Sequence, residues 1–278
     1  MYIHNLDPTI LSVGPLEIRW YGLVYVLGFF LAVWWLHFLR KKNLLEISQD
    51  EILDLTFYLM LGVLIGSRLF MIFWAPEVYL YKPWNLFFIW QGGMSFHGGL
   101  VGIVTACYLY CRKKKINFWK IADAMSFPTL FALALGRLAN FVNGELVGRV
   151  WNGSWCVVFP QYDQQCRHPN MIYSFIERML ISLWLGYLTL KIKLENGNQT
   201  KLLLSNNWIN KIKRIFWPNN FYPGFIFLNF LLLEGLGRFL MDFFREDILY
   251  FGFSLGQWFS LVMVFAALIV MIKKSKNK

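Results

Sequence analysis

Read for the spacing of apolar and polar positions, the chain resolves into seven runs of near-continuous hydrophobicity, at about 19–39, 52–73, 95–111, 121–141, 171–192, 224–243 and 254–272. None alternates with the period of a strand. Most approach the roughly 20 residues at 1.5 Å per residue that a helix needs to cross a bilayer. The pattern predicts an all-α polytopic membrane protein with seven transmembrane helices. The third run is the weakest. It opens on Gly92-Gly93-Met94-Ser95-Phe96-His97-Gly98-Gly99, and that many glycines predict close helix packing or a broken helix start covered by protein or water.

The segments between the runs set an orientation. Lys and Arg gather after the first (Arg40, Lys41, Lys42), the third (Arg112 to Lys115, Lys120) and the fifth (Lys191 to Arg214), and in the tail from Lys273. Together these hold 18 of the 27 basic residues. The positive-inside rule then places the N-terminus outside and the C-terminus in the cytoplasm. The first eight residues lack a basic n-region, so the first run is expected to remain as a span. Two connections are long. The outer one, 142–170, carries Trp151, Trp155, Pro160 and Pro169 and reads as a small extracytoplasmic arm. The inner one, about 193–222, reads as a basic loop facing anionic lipid. No internal repeat is visible, and 1–278 reads as one integral-membrane catalytic domain.

Composition agrees with a membrane protein and narrows the partners. Of 278 residues 57% are hydrophobic, 19% aromatic and 15% charged. A net charge of +11 invites a nucleic-acid reading, but the cations alternate with the spans and no nucleic-acid motif accompanies them. Cys107 and Cys111 are too few for a metal site. Cys156 and Cys166 both fall in the arm and are candidates for a disulfide in an oxidising compartment. No metal or cofactor is called for.

Given that orientation, the unusual polar residues share one depth. Tyr21, His97, Arg137, Asn140, Arg238 and Asp242 all lie near the outer ends of their runs, with Glu234 one turn deeper. Glu234, Arg238 and Asp242 at i, i+4, i+8 share a helix face, as do Arg137 and Asn140 at i, i+3. One reading is a site for a lipid headgroup, with guanidinium groups holding a phosphate. The other is structural: Arg137 snorkels as part of an interfacial cap, while Glu234, Arg238 and Asp242 neutralise one another and pin helices together. Arg68 reads as snorkelling or as helping the same anionic site. Glu177 and Arg178 read as a structural pair, with Glu177 alternatively facing the cavity.

The densest polar stretch, Gly136-Arg137-Leu138-Ala139-Asn140-Phe141-Val142-Asn143-Gly144-Glu145-Leu146-Val147-Gly148-Arg149, resembles the signature of bacterial prolipoprotein diacylglyceryl transferases. Gly92 to Leu100 is similar to a second block of that family. Trp20-Tyr21-Gly22, Arg167-His168-Pro169, Gly237-Arg238 and Phe243-Phe244-Arg245 follow its order across nearly the whole chain. The resemblance implies transfer of the diacylglyceryl group of phosphatidylglycerol to the lipobox cysteine of a preprolipoprotein signal sequence, in the bacterial inner membrane. It implies His97, Arg137 and Arg238 as catalytic residues. Tyr21, Asn140, Asn143, Glu145, Gly148 and Asp242, with the two arginines, are implied to bind substrate. Two departures stand out. The family usually continues Ser-Gln-apolar-Tyr-Glu after its Arg-His-Pro, where this chain has Asn170-Met171-Ile172-Tyr173-Ser174. It commonly has a tyrosine and a glutamate where this chain has Glu234 and Asp242.

Other membrane chemistries fit less well. The aspartate cluster of a metal-dependent phosphotransferase is missing, and so are the paired histidine motifs of a lipid phosphatase and the Gly-x-Ser-Gly of an intramembrane protease. A lipid transporter remains the alternative outside enzymes and another headgroup transferase the alternative within them. A transport path, however, needs polarity through the whole depth or broken helices in related halves.

Overall fold

The structure is a computed structural model that describes residues 1–13, 16–88, 94–197 and 221–276. Seven long helices account for most of the described residues: α1 (Trp20–Lys41), α2 (Gln49–Leu69), α3 (Phe96–Lys114), α4 (Phe118–Asn143), α5 (Asn170–Gly197), α6 (Phe225–Met241) and α7 (Leu255–Lys276). Each coincides with one predicted run, and α5 continues five residues beyond the expected 192. Five of them, α1, α2 with its continuation to Phe73, α4, α5 and α7, are long and apolar enough to cross a membrane. Large apolar side chains remain exposed along them, Phe30 at 70% and Val262 at 64% among them, as helices surrounded by lipid require. The expected glycines Gly92 and Gly93, and most of the inner loop, lie outside the described residues.

The chain divides into two compact units, Ala32–Ile121 and Met1–Leu31 with Ala122–Lys278. In the first unit α2 starts on a capping box, in which the Ser48 hydroxyl accepts from the Glu51 amide at 3.1 Å and the Glu51 carboxylate from the Ser48 amide at 2.7 Å. It packs on α3 through facing glycines. A Cβ at Gly62 would lie 2.6 Å from the Gly102 carbonyl oxygen and 2.7 Å from the Ala106 Cβ, and Gly66 meets Gly98 as tightly. Backbones this close gain dispersion contact without any difference in hydrophobicity between protein and lipid. Beyond α2 come two helical turns, Met71–Trp74 and Pro76–Tyr81, and a 3-10 turn, Pro83–Phe87. Arg68 is buried at 4% exposure and donates to the Tyr79 hydroxyl at 3.2 Å and to the Phe88 carbonyl. It therefore ties α2 to the segment that follows rather than snorkelling.

In the second unit α5, α6 and α7 pack around Leu130, Leu185, Phe225, Leu228, Leu232 and Met271. The start of α6 has no side-chain cap of its own. Instead Asp123 of α4 accepts the amides of Gly224 at 2.7 Å and Phe227 at 2.8 Å, satisfying donors that would otherwise be orphaned. The start of α7 carries a reciprocal cap between Ser254 and Gln257.

The helical expectation omits several short strands. In the unit of the arm, β1 (Tyr2–Ile3) pairs parallel with β4 (Val157–Val158), which pairs antiparallel with β5 (Cys166–Arg167). Two further antiparallel pairs are β2 (Thr9–Val13) with β3 (Leu16–Arg19) and β6 (Leu249–Tyr250) with β7 (Phe253–Ser254). The arm is a folded piece: Cys156 and Cys166 are joined by a disulfide, and Phe159, Val147, Val157 and Met171 form its core. His4 reaches across from β1, its Nε2 donating to the Phe141 carbonyl at 2.7 Å.

The glycine contact gives a direct test. Gly62→Val should lower the melting temperature in detergent by the equivalent of about 1–3 kcal/mol of overpacking, because backbone and not a flexible side chain occupies the space; an unchanged melt would show that α2 and α3 are free to separate.

Candidate functional site

The site of the second unit begins at the end of α4. Asn143 is its last residue, and Gly144 follows with φ +64°, the left-handed conformation that stops a helix. The chain turns back on itself, so that the Glu145 amide donates to the Asn140 carbonyl at 3.0 Å. This turn brings the side chains of the stretch together. The Asn140 amide donates to Glu145 Oε2 at 3.0 Å and to the Tyr21 hydroxyl, and Asn143 Nδ2 donates to Glu145 Oε1 at 3.1 Å. Arg137 Nη1 donates to Asn140 Oδ1 at 3.4 Å. Five predicted residues, Tyr21, Arg137, Asn140, Asn143 and Glu145, thus form one network. Asn140 is buried at its centre and Glu145 is exposed at its edge.

Gly148 serves a different purpose. A Cβ there would collide with the carbonyl oxygen and Cβ of His168 and with the Phe244 carbonyl. The strand-like passage around it zips to the segment after α6: the Arg149 amide donates to the Phe244 carbonyl at 2.8 Å, the Glu246 amide to the Val147 carbonyl at 3.3 Å, and Gly148 bridges Arg245. Arg167 locks this junction from the arm. Its Nη1 donates to the Gly148 carbonyl at 3.0 Å, and it pairs with Asp163 and Glu246. Its hydrogen bonds hold the Asp163 carboxyl below the usual carboxylate range. Trp151 lies flat on His168, rings 4.4 Å apart. Burial pushes the His168 imidazole below its usual range.

On α6 the three acidic and basic positions do not act as one set. Glu234 turns to α5, where Arg178 Nη2 lies 2.6 Å and Nε 2.9 Å from its Oε1. Both residues are buried. This overturns the expected pairing of Glu177 with Arg178: adjacent helical residues point about 100° apart and do not face each other. Arg238 reaches Asp242 only at 3.9 Å, and Asp242 Oδ2 is also met by the Ser254 hydroxyl at 3.3 Å. Arg137 has no carboxylate partner among the described residues. It is half-buried, and the charges of Arg178, Arg238, Glu234 and Arg245 bear on it. Arg137 and Arg238 are therefore less tightly paired with carboxylates than Arg178 is.

His97 belongs to the other unit, exposed in the first turn of α3 behind the Ser95 cap, whose hydroxyl accepts from the Gly98 amide at 3.3 Å. Among the described residues no three His, Cys, Asp or Glu side chains gather as metal ligands would. Reading the sequence missed the Arg178–Glu234 pair, the Asp123 cap and the role of Arg167. Of these only Arg167 had a local signal, its place beside His168 and Pro169.

The comparisons with known proteins now bear on this arrangement. The family model for prolipoprotein diacylglyceryl transferase matches residues 8–273. A phosphatidylglycerol–prolipoprotein diacylglyceryl transferase of Geobacter sulfurreducens is 35% identical over 284 aligned positions, covering 100% of this chain and 99% of the relative. One from Rickettsia canadensis is 34% identical over 271, covering 95% of each. One from Legionella pneumophila is 44% identical over 173, covering 62% of this chain and 67% of the relative.

The buried ion pair makes the sharpest stability prediction of the site. Glu234→Ala should destabilise the protein by about 3–5 kcal/mol, because it strands the Arg178 charge, whereas the double variant combining Arg178→Met with Glu234→Leu should recover most of that loss. Denaturant unfolding in micelles checks it, and equal losses in the single and double variants would contradict it.

Proposed function

The chain belongs to the prolipoprotein diacylglyceryl transferase family, and from that premise we propose that Arg137 and Arg238 hold the phosphate of its lipid substrate. The enzyme transfers the diacylglyceryl group of phosphatidylglycerol to the lipobox cysteine thiol of a preprolipoprotein, the first step of lipoprotein maturation. The bond from the diacylglyceryl carbon to the phosphate oxygen opens, a carbon–sulfur bond closes, and glycerol phosphate leaves. Charge builds on the departing phosphate while the thiol gives up its proton.

One observation supports the phosphate assignment above the rest: Arg178 meets Glu234 in a bidentate pair, while Arg137 meets no carboxylate among the described residues and Arg238 reaches Asp242 only at 3.9 Å. Donors already in place where charge develops stabilise the transition state without reorganisation. They also favour the thiolate, the competent nucleophile, whose free pKa is about 8.5. Tyr21, Asn140, Asn143 and Glu145 shape the glycerol pocket, Asp242 steadies Arg238, and Gly148 holds the loop that carries them. On the sequence pattern alone, His97 either takes the thiol proton or orients the headgroup.

The membrane arrangement is part of the same proposal. The whole of 1–278 is one catalytic domain of the bacterial inner membrane, with α1 to α7 as its seven spans, the N-terminus and the arm outside, and the C-terminus in the cytoplasm. Phosphatidylglycerol and the signal sequence both arrive from the surrounding lipid. The distribution of Lys and Arg supports this orientation.

Two measurements test the reading. In transfer of labelled glycerol from phosphatidylglycerol to a lipobox peptide, Arg137→Ala should lose about 100- to 1,000-fold in rate; wild-type protein that moves no label would sink the function, and full activity in Arg137→Ala the site. Alkaline phosphatase fused after Lys278 should stay inactive and a fluorescent protein fused there should glow, since only the reverse pair of results is compatible with an external C-terminus.

A further inference from the structure

Glu177 sits on α5 immediately before Arg178, and no step described above uses it. Both of its carboxylate oxygens are shielded from solvent, and neither has a hydrogen-bond partner among the described residues. Its neighbour Arg178 has turned to Glu234. On the facing helix, a Cβ at position 237 would overlap Glu177 Oε1, so the bare backbone of Gly237 makes room for this carboxylate one residue before Arg238. The charges of Glu234, Arg178 and Arg137 bear on it, so one of the two proposed phosphate anchors, Arg137, is among its electrostatic neighbours.

A buried carboxylate with no donor is costly, and native proteins leave few such groups without a reason. The amides inside α6 are spent on their own carbonyls four residues back, so Gly237 supplies space and no hydrogen bond. What is missing is a pair of donors, one for each oxygen. A thiol offers a single weak donor. The glycerol headgroup of phosphatidylglycerol carries two adjacent hydroxyls, and a vicinal diol matches the two acceptors of one carboxylate. On the reading proposed above the phosphate sits at Arg137 and Arg238, and a glycerol attached to it extends toward Glu177.

We infer that Glu177 accepts the two hydroxyls of the glycerol headgroup and is a specificity-determining residue for the lipid donor. The inference rests on the site assignment proposed above and deepens it. The leaving glycerol phosphate is then recognised at both of its ends, by guanidinium at the phosphate and by carboxylate at the diol. A site built to bind hydroxyls rejects analogues that lack them far more strongly than an apolar pocket does.

The test compares two donors of equal charge, phosphatidylglycerol and phosphatidylpropanol, which lacks both hydroxyls, in detergent micelles with a lipobox peptide. Wild-type enzyme should prefer phosphatidylglycerol by about 100-fold or more in kcat/KM. Glu177→Leu should bring the two donors within about tenfold of each other, by lowering the rate with phosphatidylglycerol while sparing the analogue. Glu177→Gln, which keeps one acceptor oxygen and the volume, should fall between. Glu177→Leu should also melt no lower than wild type, since it removes a buried polar group that has no hydrogen-bond partner among the described residues. An equal loss with both donors, an unchanged preference, or a lowered melting temperature would overturn the inference. A wild-type enzyme that uses both donors alike would overturn it too, leaving the proposed function standing. Absence of any wild-type transfer from phosphatidylglycerol would remove the proposed function and this inference together.

Discussion

The bidentate pair between Arg178 and Glu234 governs how charge is distributed in the helical unit that holds the site. Both groups are buried in helices whose outer surfaces are apolar, and an ionised side chain there persists only if an opposite charge satisfies it. By meeting across α5 and α6 at 2.6 Å, the two residues fix the register of these helices. That register sets Gly237 against Glu177 and projects Arg238 one turn beyond Glu234. Asp123, accepting two amides from the start of α6, holds the other end. The helix that presents Arg238 is thus placed by two carboxylate interactions, one from its own side chain and one supplied by α4.

The second constraint is a backbone junction. The signature turn leaves α4 through Gly144 and runs as a strand-like passage from Val147 to Arg149 against the residues after α6. Arg167, carried on a strand that the disulfide joins to Cys156, closes it through Gly148, Asp163 and Glu246. A side chain at Gly148 would force this three-way contact open, and with it the Asn140–Glu145 turn. Met171 completes the support. It is fully buried beside Val147 and Phe159, so at this position apolar packing takes the place of a polar contact.

How much of this was legible before the structure follows from range. The helices were, to within a few residues at most ends, because hydrophobic runs of their length have few other uses. The network of Tyr21, Arg137, Asn140, Asn143 and Glu145 was legible in its members, four of which are local to one turn. The strands were not. β1 is two residues long and pairs with residues more than 150 positions away, and nothing in so short a segment marks that partner. The pairing of Arg178 with Glu234 was hidden behind a nearer acid, although the angle between adjacent helical residues already argued against Glu177.

The departures from the family pattern become consistent once this geometry is in view. Where the family commonly carries a tyrosine, this chain carries Glu234, and a buried carboxylate cannot stand there alone. Had Arg238 or Arg137 answered it, the site would have lost a cation suited to a phosphate. Arg178 answers it instead, from a different helix, through two nitrogens at 2.6 and 2.9 Å. Arg238 is left with Asp242 at a loose 3.9 Å, an ion pair that steadies it without taking up its N–H donors in a hydrogen bond. Local charge balance within the pair is therefore what keeps the remaining arginines available, and it does so without adding net charge to the apolar layer.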